Sequence, residues 1–225
     1  MLGWGVLRRR AVIDLAAFAS NLSGTSLLDA RADAFGHGLA LIAPVALDAG
    51  VSSIVVSDER DAAVAIASGF SSGMVTIDRE GVGADSRAYG LDGVGIPVMS
   101  VIGEVVAVKS VPAGSGVSYG YTYRTSSATR LALVALGYAD GVPRLASNRA
   151  QVLVGGGMHP LVGRVAMDQF VVDCGDDLPE LGSDAVLFGD PSRGEPSALD
   201  WAEWTEREPL ALTAGIASRV HREAR

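Results

Sequence analysis

Lysine is nearly absent from this chain. Of 18 basic residues only Lys109 is a lysine, so chemistry that needs a primary amine has one candidate. Cysteine is as scarce, since Cys174 stands alone and cannot form an internal disulfide. Its place in the strand-like run from Phe170 to Cys174 reads as a small buried residue. No apolar run approaches the roughly 20 residues that cross a bilayer, so no membrane association is expected. Acid exceeds base, with a formal net charge of −8. Apart from Arg8-Arg9-Arg10, read as a solvated strand start, there is no basic patch, which argues against nucleic acid as a partner. The three histidines, His37, His159 and His221, lack metal-ligand spacing, so no metal is expected. Met1 to Arg10 places a short apolar stretch ahead of its arginines, the reverse of a secretion signal, which gives a cytoplasmic expectation.

What remains is ample core material: 48% of the 225 residues are hydrophobic. Asp14 reads as the N-cap of a helix through Leu22. Leu27 to Ala34 reads as a strand ending at Phe35-Gly36-His37-Gly38, with His37 a packing residue at the next helix start. Leu39 to Ala49 is a helix with Pro44 as its weak point. A strand at Ser53–Ser57, a helix at Asp58–Ser68 and a strand at Met74–Asp78 complete a βαβαβ rhythm, which predicts parallel strands with right-handed crossovers. Asp58, Glu59 and Asp61 suit a helix N-terminus. A weak strand is expected at Ser86–Leu91.

The period then changes. Val98–Val108, Arg130–Leu136, Gln151–Val154, Val165–Cys174 and Ala185–Phe188 read as β-strands. Ser197 and Asp200 form a capping pair before Trp201 and Trp204. Leu210–Val220 is expected to begin as a helix and end as a strand. The boundary falls near Asp92–Ile96, giving domains at residues 1–95 and 96–225.

Within the second part, polar and aromatic clusters gather at strand ends between Val117 and Asp168: Val117-Ser118-Tyr119-Gly120-Tyr121-Thr122-Tyr123, Gly137-Tyr138-Ala139-Asp140-Gly141, and Gly163-Arg164-Val165-Ala166-Met167-Asp168-Gln169. Together with Pro97-Val98-Met99-Ser100 and Val111-Pro112-Ala113-Gly114, in this order, they make the chain resemble the alanine racemase family. The resemblance is close from Pro97 to Arg222. Before Gly95 it is carried by Ala32-Asp33-Ala34-Phe35-Gly36-His37-Gly38 and then by Tyr89-Gly90-Leu91. It implies an α/β plus β fold, an incomplete, internally deleted (β/α) barrel remnant followed by an alanine-racemase-type C-terminal β-domain. A complete (β/α)8 barrel takes about 250 residues, so residues 1–95 cannot form one.

The family's reaction implies pyridoxal phosphate on a lysine and two bases flanking the substrate. The lysine's position is Arg31, which cannot form a Schiff base. The family's cofactor-binding positions are Phe35 in place of a tyrosine, Gly83 in place of an arginine, Asp85 in place of a glycine, and Ser218 where tyrosine is common. Tyr119 matches the second base, donated across a dimer interface. Tyr138, Met167 and Asp168 match substrate-binding positions on the same donated side. Lys109 sits on a β-strand opposite Val106 and Val108 and reads as a surface lysine.

The expectation is an alanine-racemase-like protein, catalytically inactive alone, that binds no cofactor tightly. It would present donated residues to a homodimer partner or a full-length alanine racemase. The alternative is an active pyridoxal-phosphate-dependent alanine racemase.

Overall fold

The computed structural model describes residues 7–78 and 86–225. Its first part alternates as expected. After β1 (Arg9–Ile13), Asp14 caps α1 (Leu15–Asn21) by accepting from Ala17 N. Then β2 (Leu27–Asp29), α2 (Arg31–Phe35), α3 (Leu39–Asp48), β3 (Ser53–Val56), α4 (Glu59–Ala67) and β4 (Val75–Ile77) follow. Strands β2, β3 and β4 form a parallel sheet in sequence order. Helix α3 continues through Pro44, and Asp58 caps α4 by accepting from Arg60 N and Asp61 N.

The second part is a closed barrel. Its strands are β5 (Met99–Val111), β8 (Thr129–Val134), β9 (Gln151–Val154), β10 (Gly157–Val162), β11 (Phe170–Asp173) and β12 (Asp184–Phe188), with a small hairpin, β6 (Gly116–Val117) and β7 (Tyr123–Arg124), between the first two. All six pair antiparallel in the order β12-β9-β10-β11-β8-β5, and β12 returns to β5. Alternate residues point inward, so Val101, Val105, Ala132, Val134, Val152, Val154 and Val172 are buried. Each such valine contributes roughly 1.5–3 kcal/mol of burial. Helix α5 (Ala198–Thr205) carries the expected Ser197–Asp200 capping box. It buries Trp201, which donates from Nε1 to Gln151 O. After α6 (Pro209–Ala214), β13 (His221–Ala224) runs parallel to β1, and β1 pairs with β5.

Four readings are corrected. The strand expected through Ala34 ends at Asp29, because Ala32, Asp33, Ala34 and Phe35 all take positive φ, between 49° and 55°. This left-handed turn costs roughly 1–2 kcal/mol per residue. It is held by Ala32 N donating to Ser57 Oγ, Leu39 N to Asp33 Oδ1, and Arg222 Nε to Gly36 O. Ser86–Leu91 is a turn, with Leu91 N bonded to Ser86 O, that inserts buried Tyr89 against Phe18, Phe35 and His37. The strand expected from Val165 starts only at Phe170, because Ala166–Gln169 closes a turn through Ala166 N and Gln169 O. The triple arginine does open β1 with Arg8 exposed, but it is ion-paired and not merely solvated: Arg8 faces Glu104, Arg9 faces Asp140, and Arg10 faces Asp184 and Glu223.

Candidate functional site

The turn at Ala166–Gln169 brings Met167 and Asp168 beside Tyr138. Tyr138 N donates to Ala166 O and Ala139 N to Met167 O, and a Cβ on Gly137 would lie 2.3 Å from Met167 O. Below this contact sits Asp140, fully buried. Its carboxylate accepts from Gly137 N at 2.7 Å and from Arg219 Nε at 2.6 Å, with Arg9 at 3.4 Å. Arg219 also binds Asp168, and these two carboxylates hold its guanidinium well above the ordinary arginine range. Asp168 is therefore fixed by a buried anchor.

Tyr119 joins the same cluster. Its ring lies 5.4 Å from the Arg164 guanidinium, and its hydroxyl accepts from Arg144 at 3.0 Å. Arg144 in turn stands 5.7 Å from the centre of the Tyr138 ring. The four sequence-predicted residues Tyr119, Tyr138, Met167 and Asp168 thus share one surface, with Tyr119 46% and Met167 54% exposed. Exposed tyrosine, methionine and arginine together are the composition of binding surfaces.

Arg31 and Phe35 belong to a different place. They line a cavity of about 510 Å3 with Ala32, Ser57, Asp58 and Asp78, at the C-terminal ends of β2, β3 and β4, where ligands commonly bind on parallel sheets. Arg31 makes a two-point ion pair with Asp29, Nε to Oδ1 at 2.9 Å and Nη2 to Oδ2 at 2.6 Å. Hydrogen bonding to Asp29 raises the Arg31 pKa further. A guanidinium so held has no lone pair to offer a carbonyl.

Ser218 lines a second cavity with Ala32, Asp33, Gly36 and Arg222. Gly83 and Asp85 lie outside the described residues. Lys109 is exposed on β5 opposite Leu131 and lines none of these cavities. Cys174 is buried, which pushes its thiol up to about 11. Among the described residues no group of three or more His, Cys, Asp and Glu could hold a metal, and no helix is long and apolar enough to cross a membrane.

Sequence reading missed Asp29, Arg144, Arg164 and the anchoring role of Asp140. For Asp29 a signal existed, a carboxylate two residues before Arg31 where a strand ends. The arginines had none, because Tyr119, which both of them meet, lies on a separate loop of the chain.

Comparison with known proteins places these features. The profile for "Alanine racemase, C-terminal domain" matches residues 98–224. The alanine racemase of Streptomyces coelicolor is 52% identical over 126 residues, which cover 56% of this chain and 32% of that protein. The chain thus spans about a third of the length of the curated relatives it matches. The crystal structure of alanine racemase from D-cycloserine-producing Streptomyces lavendulae superposes with a TM-score of 0.87 at 25% identity, covering 98% of each chain. The fold is also that of the Bartonella henselae alanine racemase with covalently bound pyridoxal phosphate, at a TM-score of 0.83, 17% identity, and coverage of 97% of this chain and 99% of that one.

Proposed function

This chain belongs to the alanine racemase family, and on that premise we propose that it acts without catalysis of its own, supplying Tyr119, Tyr138, Met167 and Asp168 to a site completed by another subunit. What supports the reading is that Arg31, matched by resemblance to the lysine's position, is locked to Asp29, while Tyr119, Tyr138, Met167 and Asp168 lie together on one surface with Arg144 and Arg219. In that role Tyr119 holds or moves a proton at its hydroxyl, and Asp168, oriented from beneath by Arg219 and Asp140, shapes the substrate side.

The residues of the Arg31 cavity do not fit pyridoxal phosphate. Arg31 supplies no amine and Phe35 no hydroxyl, and Ser218 lines a separate cavity. Asp58 and Asp78 line the cavity with carboxylates, and the Arg31 charge that could offset them is engaged by Asp29. The three parallel strands are, on this reading, what remains of the family's barrel after an internal deletion. The other reading, an active pyridoxal-phosphate-dependent racemase, needs Lys109, which faces solvent on β5.

The purified chain, incubated with pyridoxal phosphate, reduced with borohydride and dialysed, is expected to be colourless. It is also expected to form a complex by light scattering at micromolar concentration, alone or mixed with a full-length alanine racemase, that Met167→Glu abolishes. A stoichiometric chromophore on Lys109 would move the reading to the active enzyme. Failure to associate in every mixture would remove the donated-surface role.

A further inference from the structure

The chain is acidic in balance, but unevenly so. The stretch from Val117 to Asp168, which carries the Tyr119 face, holds five arginines and two aspartates and no lysine or glutamate, a formal charge of +3 in a chain of −8. One of those aspartates, Asp140, is buried and bound by Arg219, so its charge is answered beneath the surface. Of the five arginines, Arg149 reaches Glu206 and Arg130 binds Asp176 O. Arg124, Arg144 and Arg164 are exposed and meet no carboxylate among the described residues. Each lies by an exposed tyrosine instead: Arg124 5.9 Å from the ring centre of Tyr121, Arg144 5.7 Å from Tyr138, and Arg164 5.4 Å from Tyr119. Stacking holds a guanidinium in place and leaves its N–H edge for an acceptor.

Charge of the other sign gathers at the Arg31 cavity. From Asp58 to Arg87 the sequence carries six carboxylates against three arginines, a formal charge of −3. Asp58 and Asp78 line the cavity, Glu59 and Asp61 stand in the first turn of α4, and Arg31 is engaged by Asp29. The Asp61 carboxyl is held above the usual range, by burial first and then by Asp58 and Asp33. A cation brought to this rim relieves the crowding of like charges.

We propose that the partner of the Tyr119 face is a second copy of this chain, and that the acidic rim of its Arg31 cavity is the seat for Arg144 and Arg164. This choice of partner rests on the donated-surface role, which leaves open whether a second copy or a full-length racemase is met. Each copy carries one basic face and one acidic seat, so a two-fold pair makes the contact twice and leaves neither patch over. The guanidinium fork matches a carboxylate. Arg144 is already held by the Tyr119 hydroxyl and the Tyr138 ring, so it needs little ordering on docking. The cavity thereby receives protein side chains in place of a cofactor.

The test is sedimentation of the intact chain and two charge-reversed variants at micromolar concentration. Arg144→Glu with Arg164→Glu reverses the face; Glu59→Arg with Asp61→Arg reverses the seat and leaves Asp58 to cap α4. The parent is expected to dimerise, and each folded double variant alone to do so about a hundredfold more weakly. Mixed in equal amounts, the two variants are expected to pair one to one, because the reversed face meets the reversed seat and the native face the native seat. If a double variant fails to fold by circular dichroism, Arg164→Glu and Glu59→Arg carry the same test at about tenfold each. Self-association of either folded variant as tight as the parent's, or no pairing in their mixture, would overturn the seat and leave the donated-surface role standing. A parent that stays monomeric yet binds a full-length racemase would overturn the second copy as partner, again without touching that role. Absence of both complexes removes the role and the seat together.

Discussion

Replacing Asp140 by alanine is expected to lower the unfolding free energy by about 3 kcal/mol, whereas Asp168→Ala should cost less than about 1 kcal/mol. The two carboxylates share Arg219 but differ in burial, Asp140 being fully enclosed and Asp168 exposed. Without Asp140, the buried Gly137 N–H loses its acceptor and Arg9 loses its counter-charge. Each unsatisfied buried donor costs roughly 1–3 kcal/mol. Arg219 keeps Asp168 and solvent, so its share is smaller. Urea unfolding of both variants checks this through the midpoint at constant slope. If the two losses are equal, the buried anchor under the Tyr138 turn is not the source of its rigidity. The functional corollary is that Asp140→Ala weakens complex formation with the Tyr119 surface even where the protein remains folded.

The second large effect is on acid stability. His37 is fully buried, and burial depresses its pKa from 6.5 to about 4; hydrogen bonds to Ala34 O and Phe35 O oppose the shift, and the nearby Arg222 charge adds to it. Its Nδ1 contacts Ala34 O at 2.9 Å, and its Nε2 has no partner among the described residues. The folded chain therefore prefers the neutral ring, while the unfolded chain takes up a proton below about pH 6.5. The His37 contribution is complete above pH 6.5 and is lost as the pH falls from there toward 4, by about 3 kcal/mol. Unfolding measured at pH 7.5 and 4.5 should show His37→Phe with a correspondingly flatter dependence than the parent chain. Equal slopes would mean that the ring is protonated inside the fold.

Local chemistry written in adjacent residues was readable in advance. The Asp14 cap, the acidic helix start at Asp58, Glu59 and Asp61, and the Ser197–Asp200 box depend on neighbours a few positions apart and appear as read, with Asp58 serving as the cap itself. The convergence of Tyr119, Tyr138, Met167 and Asp168 was legible only through motif resemblance. Their contacts run through Arg144, Arg164 and Arg219, from three separate segments. The left-handed turn at Ala32–Phe35 ran against local preference, because two alanines and a phenylalanine give no sign of positive φ. That geometry is imposed by Ser57, Asp33 and Arg222. Turns at Ser86–Leu91 and Ala166–Gln169 were hidden because burial of Tyr89 and anchoring by Asp140 are tertiary effects.

The pairing of β1 with β13 has a kinetic consequence. The Asp14–Arg225 ion pair that flanks it joins residues 211 positions apart. Contacts of such separation require closure of almost the whole chain before they form, and the entropy of that closure is spent before any contact rewards it. On a ribosome the barrel strands from β5 to β12 emerge with their partners close behind them. β1 is made before both of its partners and waits for β5 and then for β13, its apolar residues Ala11 and Ile13 uncovered meanwhile. The interval between the making of β1 and the making of β13 is when a chaperone has most to protect.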